Sequence, residues 1–300
     1  VAILSRKRSL YSTSRMVEAI RQRGHRPLVL DTLRCNLVLS RGRPRMTYRG
    51  VEVRGLDVAI PRIGASITPY GLAVVSHLES MGVPVLNDAP SIARSRDKLR
   101  CLQLLTRAGL EVPRTVMAHD RSHLSELLEE VGGLPAVVKL LRGTQGVGVM
   151  LASTVAELQG ILETFQGLGQ EFVLQELVGE SRGRDLRALV VGGRLVGSMR
   201  RRARPGEFRS NLHRGGRGKP VMPAPEYVEA ALRATRAVGL EVAGVDLLET
   251  KTGPKVLEVN SSPGFEGLER ATGLDIAGAI IDRALAMARE RQSTARSRAL

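Results

Sequence analysis

Tryptophan is absent from this 300-residue chain, and Phe, Trp and Tyr together make up only 3% of it. Proteins that hold single-stranded nucleic acid by base stacking need aromatic platforms, so that mode is disfavoured, although contacts to a phosphate backbone are not. Cysteine is nearly absent too. Cys35 and Cys101 lie in unrelated segments without a CxxC or Cys/His companion, which argues against a disulfide framework and a zinc site. Each reads as a small buried hydrophobe. No apolar run reaches the roughly 20 residues that span a bilayer. The opening Val1-Ala2-Ile3-Leu4-Ser5-Arg6 is too short and too soon charged for a signal peptide. A cytoplasmic protein without membrane contact is the expectation. A G-x-G-x-x-G after the first strand is also missing, so nothing supports a dinucleotide site.

What the chain has in excess is positive charge: 45 Lys and Arg against 30 Asp and Glu, a net of +15. Such an excess attracts polyanions, whether nucleic acid, nucleotide or acidic polypeptide, and says nothing about fold. An apolar share of 43% with 25% charged residues is that of an ordinary globular protein.

The first ninety residues alternate strand and helix: strands at 1–4, 28–30 and 58–60, helices at 15–23 and 72–81, each helix followed by glycine. That alternation predicts a parallel sheet covered by helices. Residues 90–109 read as one continuous helix. A second unit follows, with a helix at 124–131, strands at 135–141 and 147–152 around a glycine-rich turn, and a helix at 155–165. Beyond Gly169 strands dominate, at 172–178, 185–191, 194–200, 242–249 and 255–259, interrupted by a helix at 226–238. The last helix is expected over 275–290, with 291–300 a frayed basic tail. The class is therefore α/β passing into α+β.

Four features could carry chemistry. Gly143-Thr144-Gln145-Gly146-Val147-Gly148 sits between two apolar strands, where glycines let backbone N–H groups approach phosphate oxygens closely. No Lys-Ser/Thr follows, so it is not a Walker A loop. Alone, a tight hairpin explains it equally well. Lys139, inside the apolar strand Val137-Val138-Lys139-Leu140-Leu141, changes the weighting, because a lysine in a strand core carries a desolvation cost that an anion would offset. The third feature is Asp246 with Glu258 and Asn260. Adjacent antiparallel strands would bring them together, Glu258 and Asn260 on one face, as a hard oxygen shell of the kind magnesium takes when phosphates and water complete it. The fourth is the run from Arg200 to Lys219, with eight basic residues and one acidic, Glu207. It reads as a loop closing over anions, with its arginines free to steer an acidic tail. His213 within it is more often structural than a base.

At these residues the sequence resembles the ATP-grasp superfamily, and more narrowly the RimK-type alpha-L-glutamate ligases. The likeness rests on Pro61 to Gly64, Ala93 to Lys98, Lys139 to Gly148, Arg209 to Gly216 and Val259 to Gly264. It implies a pre-ATP-grasp domain over 1–90 and an ATP-grasp domain over 91–290, whose lid subdomain spans about 112–172 and whose C-terminal subdomain spans about 173–290. In the family, lysines matching Lys98 and Lys139 contact phosphates. Gln175-Glu176-Leu177-Val178 matches the adenine-binding segment, and Asp185 matches an acid that helps hold the nucleotide. Arg209-Ser210-Asn211 falls on the phosphate and substrate side, with Arg209 and Lys139 the catalytic candidates, and Asp246, Glu258 and Asn260 on the metal positions. The cofactors implied are ATP and two ions of Mg2+ or Mn2+. The implied partners are glutamate and the acidic C-terminus of a small-subunit ribosomal protein, with possible ribosome contact and a homo-oligomeric state. The rivals are a glutamate ligase acting on a cofactor or carrier protein, and a non-catalytic RNA- or ribosome-binding protein. Clustered carboxylates count against the last.

Overall fold

In a computed structural model of the chain, residues 1–117, 123–141, 148–210 and 215–297 are described. The N-terminal part is built on a parallel sheet with β1 (Ala2–Leu4) between β2 (Leu28–Leu30) and β6 (Ala59–Pro61). Helix α1 (Tyr11–Gln22) crosses from β1 to β2, and α2 (Thr68–Ser80) crosses from β6 to a parallel bridge between Val85 and Ala59, as the alternation predicts. Between β2 and β6 lies a small antiparallel sheet that the sequence reading passes over: β3 (Cys35–Val38), β4 (Arg45–Tyr48) and β5 (Val51–Glu52). Its strands are two to four residues long. Only β3 carries an apolar run, Leu37-Val38-Leu39 at its end, the same triplet as in β2 but left unread; Cys35, Met46 and Val53 bury into the core from this region.

Residues 90–109 form two helices, not one: α3 (Ala89–Arg96) and α4 (Lys98–Arg107). The break is at Asp97, whose backbone is extended and whose carboxylate accepts from Arg100 N at 2.9 Å. Asp is a preferred N-cap, and this local gain outweighs continuing the helix. The break makes Lys98 the first residue of α4 and turns it toward the following domain.

There, β7 (Thr115–Val116), α5 (Leu124–Glu130), β8 (Ala136–Leu140), β9 (Val149–Ala152), α6 (Val155–Gly167) and β10 (Phe172–Glu176) form an antiparallel sheet of order β7-β10-β8-β9 covered by two helices. Thr154 caps α6 by accepting from Glu157 N. A second antiparallel sheet, order β13-β12-β11-β14-β15, contains β11 (Arg184–Val191), β12 (Arg194–Arg202), β13 (Arg217–Pro220), β14 (Val242–Thr250) and β15 (Gly253–Asn260). Helix α7 (Pro225–Val238) packs on it, opened by proline and closed by Gly239 at φ +80°. After α8 (Glu266–Thr272), α9 runs from Ile276 to Ser297, past the expected end at Glu290, so the expected frayed tail is helical through Ser297.

One core cluster mixes Ile3, Met16 and Ile20 with Leu189 and Val242 of the second sheet and Ile280 and Ile281 of α9, so the N-terminal part is fused to the rest. Asn87 fastens the joint. Its side chain is buried and donates to Val242 O (2.8 Å) and Ser261 O (3.0 Å) while accepting from Glu241 N (2.7 Å) and Val242 N (2.9 Å). Arg62 adds a bond to Pro263 O at 2.7 Å. Both cysteines are free and buried, as expected. No described helix is long and apolar enough to cross a membrane.

Candidate active site

The two antiparallel sheets face each other across a cleft lined by residues of both. It gathers Lys98, Lys139, Gln175, Glu176, Leu177, Val178, Asp185, Arg209, Ser210, Asp246 and Glu258, all singled out from sequence. None of its lining residues precedes Ser95.

Lys139 comes from β8. The β8–β10 register sets it opposite Val173, and its ammonium donates to Gln175 Oε1. Gln175 in turn donates to Thr115 Oγ1 at 2.7 Å. Burial pushes the Lys139 ammonium down to about 8, against the pull of Glu258 in the other direction. Lys98 reaches from α4 to Leu140 O and Leu141 O, both at 3.1 Å, and desolvation lowers it as well, again opposed by Glu258. Two desolvated cations thus converge from different elements on one wall. Glu258, half-buried on β15, has no hydrogen bond or ion pair among the described residues. The cleft holds positive charge whose desolvation cost an added anion would offset.

The carboxylates behave differently from one another. The β14–β15 register pairs Asp246 with Glu258 and Gly244 with Asn260, the juxtaposition that the sequence spacing predicts. Asp246, however, is only 2% exposed and lies between two arginines. Arg187, its register partner on β11, forks onto it, Nε donating to Oδ1 and Nη2 to Oδ2 at 2.7 Å. Arg201 Nη2 approaches its Oδ1 at 2.9 Å. Burial alone would raise the Asp246 carboxyl; Arg187 and Arg201 outweigh it and hold the group below the usual carboxylate value. Arg201 also forks onto Asp185, with both bonds at 2.6 Å, and Ser210 Oγ donates to Asp185 Oδ2 at 2.5 Å. Asp185, Arg201, Asp246 and Arg187 therefore form a buried, charge-balanced chain across three strands.

This corrects the reading of the basic run. Arg201 is 4% exposed and serves Asp185 and Asp246, so it is not free to steer an acidic tail. Arg200 forks onto Glu249 at 2.6 and 2.7 Å. Arg209 pairs with Glu207 at 2.8 Å and donates to Val149 O at 3.1 Å. Its hydrogen bond to Glu207 pulls that carboxyl down to about 2. Arg202, Arg204, Arg217 and Lys219 are the exposed remainder among the described residues. Gly143, Gln145, Gly146 and Asn211 lie outside the described residues, as does His213. Gly148 is described: its φ is +71°, and a Cβ there would come within 2.5 Å of Leu140 Cδ1, so only glycine fits.

Residues at the metal positions fit a divalent ion unequally. Glu258 is an anionic ligand that no described residue engages by a side-chain hydrogen bond or ion pair. Asn260 uses its Nδ2 toward Gly244 O at 3.4 Å, leaving its amide oxygen to coordinate. Asp246 already takes three contacts from Arg187 and Arg201, which leaves it less room for an ion than Glu258. Among the described residues no group of three His, Cys, Asp or Glu side chains is placed to hold a metal, so phosphate and water oxygens must complete any shell. The apolar wall is what sequence reasoning missed: Val137, Val173, Leu102, Leu105, Leu248 and Leu257. Arg187 was missed too, although the two-residue period places it beside Asp185 on one face of β11. At the junction of the sheets, the Leu177 amide and carbonyl make no hydrogen bond among the described residues.

Residues 95–284 match the model of the RimK-like ATP-grasp domain, and residues 1–92 match that of the RimK PreATP-grasp domain. A protein of Pseudomonas paraeruginosa named probable alpha-L-glutamate ligase is 52% identical over 281 residues, covering 94% of this chain and 93% of that one. Among solved structures, the RimK domain protein ATP-grasp from Sphaerobacter thermophilus superposes with a TM-score of 0.73 at 25% identity, covering 95% of this chain and 98% of the other. The ATP-grasp ligase PsnB, complexed with minimal precursor, Mg and ADP, gives 0.74 at 22% identity, covering 96% and 98%.

Proposed function

We propose that this chain, which belongs to the RimK-like ATP-grasp family and is accordingly a ligase forming carbon–nitrogen bonds, attaches glutamate to the acidic C-terminus of a protein, a small-subunit ribosomal protein in particular. The observation that carries the reading is the convergence of two desolvated lysines, Lys98 and Lys139, with Glu258, which no described residue hydrogen-bonds, in a cleft that also has an apolar wall. Two desolvated lysines that share one carboxylate suit a metal-bound polyphosphate, whose oxygens would offset the burial of the lysines while Glu258 holds the metal. The apolar side chains and the unpaired Leu177 backbone suit a purine ring and its edge.

The reaction we infer has two steps. The terminal phosphoryl group of ATP passes to a carboxylate, giving ADP and an acyl phosphate; an amine then attacks the acyl carbon, and inorganic phosphate leaves. Lys98 and Lys139 hold and neutralise phosphate oxygens, contributing electrostatic stabilisation and no covalent chemistry. Glu258 and Asn260 would hold the divalent ions, magnesium or manganese, which supply Lewis-acid polarisation of the transferring group when bound. The test is to incubate the protein with ATP, magnesium and glutamate, with and without a peptide ending in glutamates, and to weigh the products. Mass increments of whole glutamate residues on the peptide support the reading. Increments on a small cofactor or a carrier protein, with none on the peptide, would move the acceptor to the rival class.

A further inference from the structure

More than half of the chain's charge excess sits away from the cleft. Residues 1–92 hold fourteen Lys and Arg against six Asp and Glu, a net of +8 out of +15, yet none of them lines the cleft. Six of these fourteen lie on the small antiparallel sheet of β3, β4 and β5 and its flanking loops, where Arg34, Arg41, Arg43, Arg45, Arg49 and Arg54 are all exposed. Only Asp31 and Glu52 answer them: Asp31 sits 3.6 Å from Arg34, and Glu52 sits 2.7 Å from Arg54 and 3.9 Å from Arg45. Arg41, Arg43 and Arg49 have no carboxylate partner among the described residues; Arg49 lies over the Tyr48 ring at 5.5 Å.

The platform beneath these arginines is anchored to the core. Cys35, Met46 and Val53 are buried in the N-terminal cluster, Tyr70 donates to Cys35 O at 2.6 Å, and the His77 ring bonds Arg45 O at 2.8 Å. Guanidinium groups spread over an exposed sheet and its loops do not make a site for a small anion, which needs convergent donors. They suit a polyanion of regular charge spacing, and guanidinium forks match phosphate oxygens two at a time. An acidic tail whose end must enter the cleft would be gripped beside the cleft. Tyr48 is the only aromatic residue between Asp31 and Gly55, which removes base stacking and leaves backbone contact.

We propose that the β3–β4–β5 face of the N-terminal domain is a sequence-independent RNA-backbone binding surface, separate from the nucleotide cleft. It holds whether or not the acceptor is ribosomal. The experiment measures fluorescence anisotropy of a labelled RNA hairpin, and separately of a labelled polyglutamate peptide, against the full chain over a series of salt concentrations. The comparison is with Arg41→Gln/Arg43→Gln/Arg49→Gln, whose exposed side chains leave the core untouched. Each arginine that no longer neutralises a phosphate should lower the slope of log affinity against log salt by about 0.7–0.9, so the triple variant should show a slope smaller by roughly 2. ATP binding and thermal unfolding, unchanged in the variant, show that the fold survives. Should it not survive, Arg41→Glu/Arg43→Glu in the loop alone gives the same readout. RNA binding by the parent chain with a reduced salt slope in the variant supports the proposal. No RNA binding by the parent, an unchanged slope, or loss of polyglutamate binding with RNA binding intact would each overturn it.

Discussion

Replacing Lys139 with methionine should make the unliganded protein more stable while destroying its function. Burial lowers the Lys139 ammonium from 10.5 to about 8. At about 1.4 kcal/mol per unit, holding the charge in the folded protein at pH 7 costs about 3 kcal/mol. The side chain keeps some solvent contact, which trims the cost, and methionine forfeits the bond to Gln175, worth about 1 kcal/mol. The net expected gain for Lys139→Met is about 1–2 kcal/mol at pH 7. The pH dependence identifies the cause. Between pH 8 and 10.5 the unfolded parent chain binds a proton that the folded chain does not, so parent stability rises with pH through that window. The advantage of the variant should be full below pH 8 and should shrink toward pH 10.5. Urea unfolding of both proteins without nucleotide at pH 7 and pH 10 makes the measurement, with calorimetric ATP binding alongside. A variant less stable at pH 7, or an advantage that does not narrow with pH, would refute the reasoning.

Nucleotide phosphates should restore the Lys139 ammonium, so ATP binding near pH 8 should take up about half a proton per site; titrations in buffers of different ionisation heat read this directly, and zero uptake would contradict it. Arg201→Met leaves Asp185 and Asp246 buried with less countercharge and should cost about 3–5 kcal/mol in a denaturant melt; a loss below about 1 kcal/mol would mean that the chain of charges carries little weight. Asn87→Ala strips four buried bonds from the joint between the N-terminal part and the rest. It should cost on the order of 3 kcal/mol and speed amide exchange along α1 and α9. Glu258→Gln should weaken Mn2+ binding in the presence of ATP, seen by electron paramagnetic resonance, and abolish turnover, because an anionic ligand becomes neutral; unchanged metal affinity would remove Glu258 from the metal site.

Most of the scaffold was legible because it follows periodic patterns. The β14–β15 register that joins Asp246 to Glu258 came from strand spacing alone, and the parallel N-terminal sheet came from alternation. The illegible parts were those where a local interaction competes with a pattern. Asp97 sits inside a helical periodicity, yet its capping bond splits the helix and delivers Lys98 to the cleft. The β3–β5 sheet has strands of only two to four residues, and the apolar triplet Leu37-Val38-Leu39 at the end of β3, equal to that of β2, has no α-helix before or after it to mark a βα unit. The pairing of charges is a tertiary property: the run from Arg200 looked like free positive charge, and only the β11–β12 and β11–β14 pairings reveal that Arg201 is engaged by Asp185 and Asp246. The same pairings show that Asp246, though well placed in sequence, is held by arginines, while Glu258 is the carboxylate left free.

The central claim is that carboxylate activation runs through phosphoryl transfer, with ADP as the nucleotide product. Its most direct test uses an acceptor peptide ending in glutamate whose C-terminal carboxylate carries 18O, with ATP, magnesium and glutamate. Released inorganic phosphate is then read by phosphorus NMR or mass spectrometry. The account predicts one 18O atom in each phosphate formed with an amide bond, and ADP in equal amount. Label found in AMP, or amide formation that releases unlabelled phosphate, would contradict it.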